Sequence, residues 1–345
     1  MFCNNDDTYN NLSCNKKLFS EIISIISLVF SLFIIYISMK KIKMNITNTL
    51  ILQIIISEVL DGINIILAIV FDAFGSYTFE NYPNRMGICL TQIYLGVFSC
   101  LWNLFSSLFI SLRIYDRMEN KNRIFKNKFM YEYTTTMSYG IPCIISYIIW
   151  TIQVLNQSDT LKKKTYQDFY PQERFRSDFF RYMYCWVSNW NNNVLFIISI
   201  LLIAANFYFS VFKSVIFIKK VSNEIEEKED RGRKSIQNKM KKINQMMWSL
   251  ILYPVVSGII WLFYFIFQIL AGYGNGHNSS ESLKNFMRNG IGSWILIIII
   301  SFRQSIFTLL FFLTQGSLRK YAYNFITCKT KKKKYNNNNE GRIDE

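Results

Sequence analysis

The stretch CLTQIYLGVFSCLWNLFSSLFISLRIY, Cys89 to Tyr115, fixes the environment in which the whole chain must fold. It runs 27 residues, and its first charged residue is Arg113. As a helix rising about 1.5 Å per residue it is about 40 Å long, enough to cross a bilayer with its headgroups. A soluble domain would show amphipathic helices or strands of about 4–8 residues instead. A cysteine stands at one end and a basic segment (Arg113, Arg117, Lys121, Arg123, Lys126, Lys128) at the other. That polarity marks an oxidising side and a cytosolic side, and the rest of the chain is oriented from it.

Six further apolar blocks of similar length accompany this one. The seven are roughly Leu18–Ser38, Thr49–Phe71, Cys89–Ile114, Met137–Leu155, Val194–Ile218, Met246–Ala271 and Ile291–Thr314. Each is about the length that spans a membrane as a helix. The expected fold is an all-α membrane protein, a seven-transmembrane helix bundle. The net charge of +16 does not imply a nucleic-acid partner, because the cations sit in loops between apolar spans. One set of connections, with the tail, holds 26 Lys and Arg, against 11 on the opposite side. The excess puts the C-terminus in the cytosol and the N-terminus outside, although Lys16 and Lys17 before the first span pull the other way. The lipid bilayer, in a multi-pass arrangement, is the first partner the chain implies.

Residues 1–17 read as an extracellular segment without the cleavage signature of a removable signal peptide. The transmembrane domain follows over 18–315. Residues 316–328 read as a short amphipathic helix on the inner leaflet after span seven, with Cys328 a palmitoylation candidate. Residues 329–345, with Lys331–Lys334 and Asn336–Asn339, read as a disordered cytosolic tail whose cations favour anionic lipid. Glycosylation acceptors at Asn11, Asn156 and Asn278 fall on the expected outer side, whereas Asn45 falls inside. Four cysteines lie outside (Cys3, Cys14, Cys89, Cys185), and four allow three pairings. Cys89–Cys185 would tie the long second outer loop to the top of span three, and Cys3–Cys14 would close the N-terminal segment.

Span two carries Glu58, Asp61 and Asn64, and span seven carries Arg303. Glu58 lies ten residues from Asn48 at the inner end, and Arg303 twelve from Gln315. Those depths are about 15 and 18 Å, so the two match. An unpaired charge there costs roughly 2.5–3.5 kcal/mol on insertion scales. Arg303 is therefore expected to pair with Glu58, with Asp61 one turn deeper. The pairing is read equally as a ligand contact or switch and as a static link between spans two and seven. Pro254 is the candidate hinge of span six.

Catalytic chemistry finds little material. The chain has one histidine, no cluster with metal-ligand spacing and no phosphate-binding glycine loop, so no enzyme, metal or cofactor is expected. Span seven has no lysine for a retinal Schiff base, and no inverted repeat of the kind many transporters show is visible.

Seven spans, an outer N-terminus, Cys89 atop span three and Cys185 in the second outer loop resemble a G-protein-coupled receptor. Within that superfamily the chain is similar to the cyclic-AMP-receptor-like class of social amoebae. The shared features are Ser57 and Asp61 in span two, the spacing of Cys89 to Ile114-Tyr115, and Cys185-Trp186-Val187. Lys242-Ile243-Asn244 entering span six and Arg319-Lys320-Tyr321 after span seven also match. The resemblance covers roughly residues 45–325 through short motifs. It implies a plasma-membrane receptor for an extracellular small molecule that activates a heterotrimeric G protein, with Arg113, Tyr115 and Arg117 as candidate G-protein contacts. Leu60 stands where the chemoreceptors of that class carry a lysine, and Glu58 adds negative charge, so the ligand class stays open. The alternative is a transporter or channel that uses Glu58, Asp61 and Arg303 along a substrate or proton path.

Overall fold

A computed structural model describes residues 8–42, 45–73, 82–118, 128–163, 189–213, 215–216, 251–266 and 291–326. All regular structure among them is helical. The elements are α1 (Thr8–Lys41), α2 (Ile46–Ala73), α3 (Tyr82–Met118), α4 (Lys128–Lys163), α5 (Asn189–Phe207) with a π turn (Tyr208–Phe212), α6 (Ile251–Ile266), α7 (Ile291–Thr314) and α8 (Gly316–Ile326). Stretches of α1 to α5 are long and apolar enough to cross a membrane. Of the sixth helix the described part, Ile251–Ile266, is apolar. In the 24-residue α7, Arg303 is the one charged residue.

α1 to α4 outrun the apolar blocks that announce them, whereas α7 matches its block, Ile291–Thr314. α1 starts ten residues before Leu18, and α3 starts seven before Cys89, which places Cys89 inside the helix rather than at its start. α4 continues to Lys163, so Asn156 sits on helical backbone and the expected outer loop from 156 begins later. Hydropathy reports the part of a helix that meets hydrocarbon, and hydrogen bonding continues through the polar turns beyond it. The helix expected over 316–328 is present as α8, Gly316–Ile326.

α1 shows which solvent the bundle is built for. Its buried face carries Ser24, Ser27, Ser31 and Ser38, while Ile22, Ile26, Val29, Leu32 and Met39 are exposed. A water-soluble helix would be the reverse. Apolar side chains outside and small polar ones at the contact are what a lipid environment selects, because close backbone approach and interhelical hydrogen bonds replace the hydrophobic drive. Ser31 and Thr308 make such a bond between α1 and α7 at 2.8 Å. The exposed apolar residues of α4, among them Ile144, Ile148 and Leu155, extend the same lipid-facing surface. The described residues are thus those of an all-helical, membrane-embedded protein by the length, composition and packing of these helices.

α3 lies at the centre, packed against α2, α4 and α5, while α1 and α7 close the bundle against α2. Two apolar cores stack along it. One joins α3, α5 and α6 through Val97, Leu101, Leu195, Trp261 and Phe265. The other joins α1, α2, α7 and α8 through Ile34, Ile37, Leu50, Phe307 and Leu318. Gly258 is a point of close approach, since a Cβ there would lie 2.9 Å from Cε2 of Phe207 on α5.

Candidate functional site

Near the middle of the bundle the polar side chains of four helices converge. Glu58 and Asp61 are three residues apart on α2 and so share a face. Asn103 lies on α3, Ser257 and Trp261 are one turn apart on α6, and Arg303 comes from α7. All are buried, and Glu58 and Arg303 each expose 2% of their surface.

Arg303 forms its close ion pair and hydrogen bond with Asp61. Its Nε stands 3.8 Å from Oε2 of Glu58, beyond hydrogen-bond reach. The pairing expected with Glu58 is thus shared, and Asp61 is the nearer partner. The reason lies on α3. Nδ2 of Asn103 donates to Oε1 of Glu58 at 2.6 Å and holds that carboxyl away from the arginine. The guanidinium face is covered by aromatic rings, with Cζ 4.3 Å from the Trp261 centroid and 5.2 Å from that of Tyr264. A delocalised, weakly hydrated cation suits that setting better than an ammonium.

Asn103 is the hub that the apolar look of α3 conceals. Its Oδ1 accepts from Ser257 Oγ at 2.7 Å and from Trp261 Nε1 at 3.2 Å. An indole nitrogen can only donate, so the atom facing it must be the amide oxygen, and the NH₂ must face Glu58. The orientation of the amide is therefore fixed by chemistry. Through this oxygen α6 bonds to α3, and the rings on Arg303 together with a Tyr253–Thr314 hydrogen bond of 2.8 Å tie α6 to α7. Asn103, Ser257, Trp261 and Tyr264 did not stand out in the sequence. The available signal was a carboxamide in the middle of a long apolar run, LWNLF, where a polar group needs a partner.

Asn64 belongs to a different clamp. Its Nδ2 donates to the backbone oxygen of Gln92 at 3.1 Å, and Gln92 Nε2 donates to the backbone oxygen of Asn64 at 3.3 Å. This reciprocal pair links α2 to α3 one turn beyond Asp61. A third clamp centres on Gln53, whose Nε2 donates to Thr135 O at 3.0 Å while its Oε1 accepts from Ser138.

The other residues singled out in the sequence are spread along the molecule. Arg113 and Tyr115 are half-buried at the far end of α3, and Tyr115 packs against Phe209 with centroids 5.6 Å apart. Arg117 lies on the last turn of α3. Pro254 is buried on α6. Asn11 and Cys14 lie on α1, Cys89 on α3. Cys3, Cys185, Asn278 and Cys328 lie outside the described residues, and with them both expected disulfides. Among the described residues no group of three His, Cys, Asp or Glu could hold a metal ion.

No protein-family model matches the chain, and neither does any curated protein.

Proposed function

We propose that the chain is a seven-transmembrane receptor of the plasma membrane, with its N-terminus outside, that senses an extracellular small molecule and activates a heterotrimeric G protein. The observation that carries this reading is the attachment of α6. At mid-membrane α6 meets α3 through Asn103 Oδ1 and meets α7 through Trp261 and Tyr264 on Arg303. A ligand that displaces either ring acts directly on the bonds that set the position of α6. The protein then needs only a pre-existing open state for the ligand to select.

The magnitudes suit such a device. A buried hydrogen bond is worth about 1 kcal/mol net, more when a carboxylate accepts it. A desolvated cation–π contact adds about 2 kcal/mol. Moving a two-state equilibrium from 1:99 to 99:1 takes about 5.5 kcal/mol of differential affinity. The polar contacts at this site are of that order, so a small molecule that displaces them can shift the equilibrium. Opening on the inner side, with Pro254 as hinge, exposes the end of α3, where Arg113, Tyr115 and Arg117 are the proposed G-protein contacts. The resemblance adds a Cys89–Cys185 disulfide. The sequence adds a second bridge at Cys3 and Cys14, glycans at Asn11, Asn156 and Asn278, and a lipid chain at Cys328.

One observation favours a second reading, a transporter or channel. Glu58 and Asp61 both face a single guanidinium inside the membrane, and intramembrane ionisable groups often line ion paths. One experiment separates the two. Guanine-nucleotide exchange and membrane current are recorded together, with and without the protein, while extracellular metabolites including cyclic AMP are added. Ligand-dependent exchange without current is the result expected. Current that Glu58→Gln abolishes, with no exchange on any G protein, would replace the receptor reading by the transport one.

A further inference from the structure

The inner half of α5 departs from α-helical winding at one place. Between Tyr208 and Phe212 the helix widens to a π turn, and the backbone N–H of Lys213 donates to the oxygen of Tyr208, five residues back. A π turn holds one residue more than the α-helix it interrupts, and such turns recur where a helix must do something specific. Here the helix above the turn is fixed. Asn206 is fully buried. Its Nδ2 donates to Leu104 O at 3.4 Å and its Oδ1 accepts from Ser111 Oγ at 3.1 Å, both on α3. On the adjoining residue, Phe207 fills the space left by Gly258 of α6. Within the turn, Ser210 Oγ donates to Asn206 O at 2.5 Å and supplies a carbonyl that the widened ladder serves poorly.

Below the turn the contacts are of another kind. Lys213 Nζ lies 5.5 Å from the Tyr115 ring centroid and 5.4 Å from that of Tyr208. Within the turn itself, Phe209 packs on the same Tyr115 ring. The extra residue of the π turn is what brings Lys213 to this position. Closing the turn to α would rotate everything after it by about 100° and shift it by about 1.5 Å. Lys213 would then leave the Tyr115 ring.

We propose that the inner end of α5 is a two-register switch, with Asn206 as its fixed point, the Tyr208–Phe212 turn as the element that changes, and Lys213 on Tyr115 as the contact that holds the wide register. The switch moves Lys213 on or off Tyr115 at the inner end of α3 without moving the upper half of α5. It needs no ligand and stands apart from whether the chain couples to a G protein, so its test reads distance rather than signalling.

Spin labels are attached through unnatural amino acids at Tyr133 on α4 and Val215 beyond the turn, both exposed positions. Pulsed dipolar spectroscopy in nanodiscs then reads the distance between them. The wild type gives one dominant distance. Lys213→Gln removes the cation and raises a second distance, displaced on the order of 8 Å for a helix about 10–12 Å across. Its population rises about threefold, the effect of losing a weak cation–π contact. Lys213→Arg keeps the wild-type pattern. Deleting Val211 in the Lys213→Gln background removes the extra residue and with it the second distance. A single unchanged distance in Lys213→Gln overturns the proposal. So does a second distance that survives the deletion, since it would then arise elsewhere. If the deleted chain does not fold, the contrast between Lys213→Gln and Lys213→Arg still decides.

Discussion

Arg303 is served by two carboxylates, but unequally. Asp61 holds it closely, whereas Glu58 stands 3.8 Å from its Nε and spends its other oxygen on Asn103. Removing one member of a buried pair leaves an uncompensated charge and costs about 3–5 kcal/mol. Arg303→Met is therefore expected to lower the melting temperature of detergent-solubilised protein sharply, and adding Asp61→Asn should recover much of the loss. Asp61→Asn alone should destabilise more than Glu58→Gln. The reverse order would show that the arginine leans on Glu58 instead. This pair was legible in the sequence because charges are rare in such spans and their depths could be compared. Which carboxylate stands closer was not legible, because that depends on a neutral Asn on a third helix.

At the scale of elements, α6 is seated by shape as much as by polar bonds. A Cβ at position 258 would fall 2.9 Å from Phe207 and 3.4 Å from Ile203. Gly258→Val is thus expected to cost about 1–3 kcal/mol through overpacking. Phe207→Leu should restore part of it, measured as melting temperature in the double variant. No rescue would mean that the strain lies within α6 rather than between helices. The apolar blocks announced the helices and gave the bounds of α7, Ile291–Thr314, but misjudged the ends of others. α1, α3 and α4 run on through polar turns that hydropathy does not register. The π turn in α5 left no mark in the sequence at all, since YFSVF has the composition of any apolar helix and the extra residue shows only against the fixed contacts of Asn206.

At the scale of the whole molecule, α1 with Ser24, Ser27 and Ser31 inside and Ile22, Ile25 and Ile26 outside identifies the solvent more firmly than any single block. The proposed seven spans would put the two termini on opposite faces. In intact cells a tag at the C-terminus should be shielded from added protease while one at the N-terminus is cut, and equal access would require an even number of spans. Asn103 joins Glu58, Ser257 and Trp261 through one amide. Its replacement by leucine strands three buried polar partners, each at about 1–3 kcal/mol. The release of α6 is then expected to favour the open state without ligand. The deciding measurement is guanine-nucleotide exchange on heterotrimeric G proteins in membranes carrying equal surface amounts of folded wild type and Asn103→Leu. Ligand-free exchange several-fold above wild type is the predicted result. Exchange at the level of protein-free membranes for both, with ligand and without, would contradict the account.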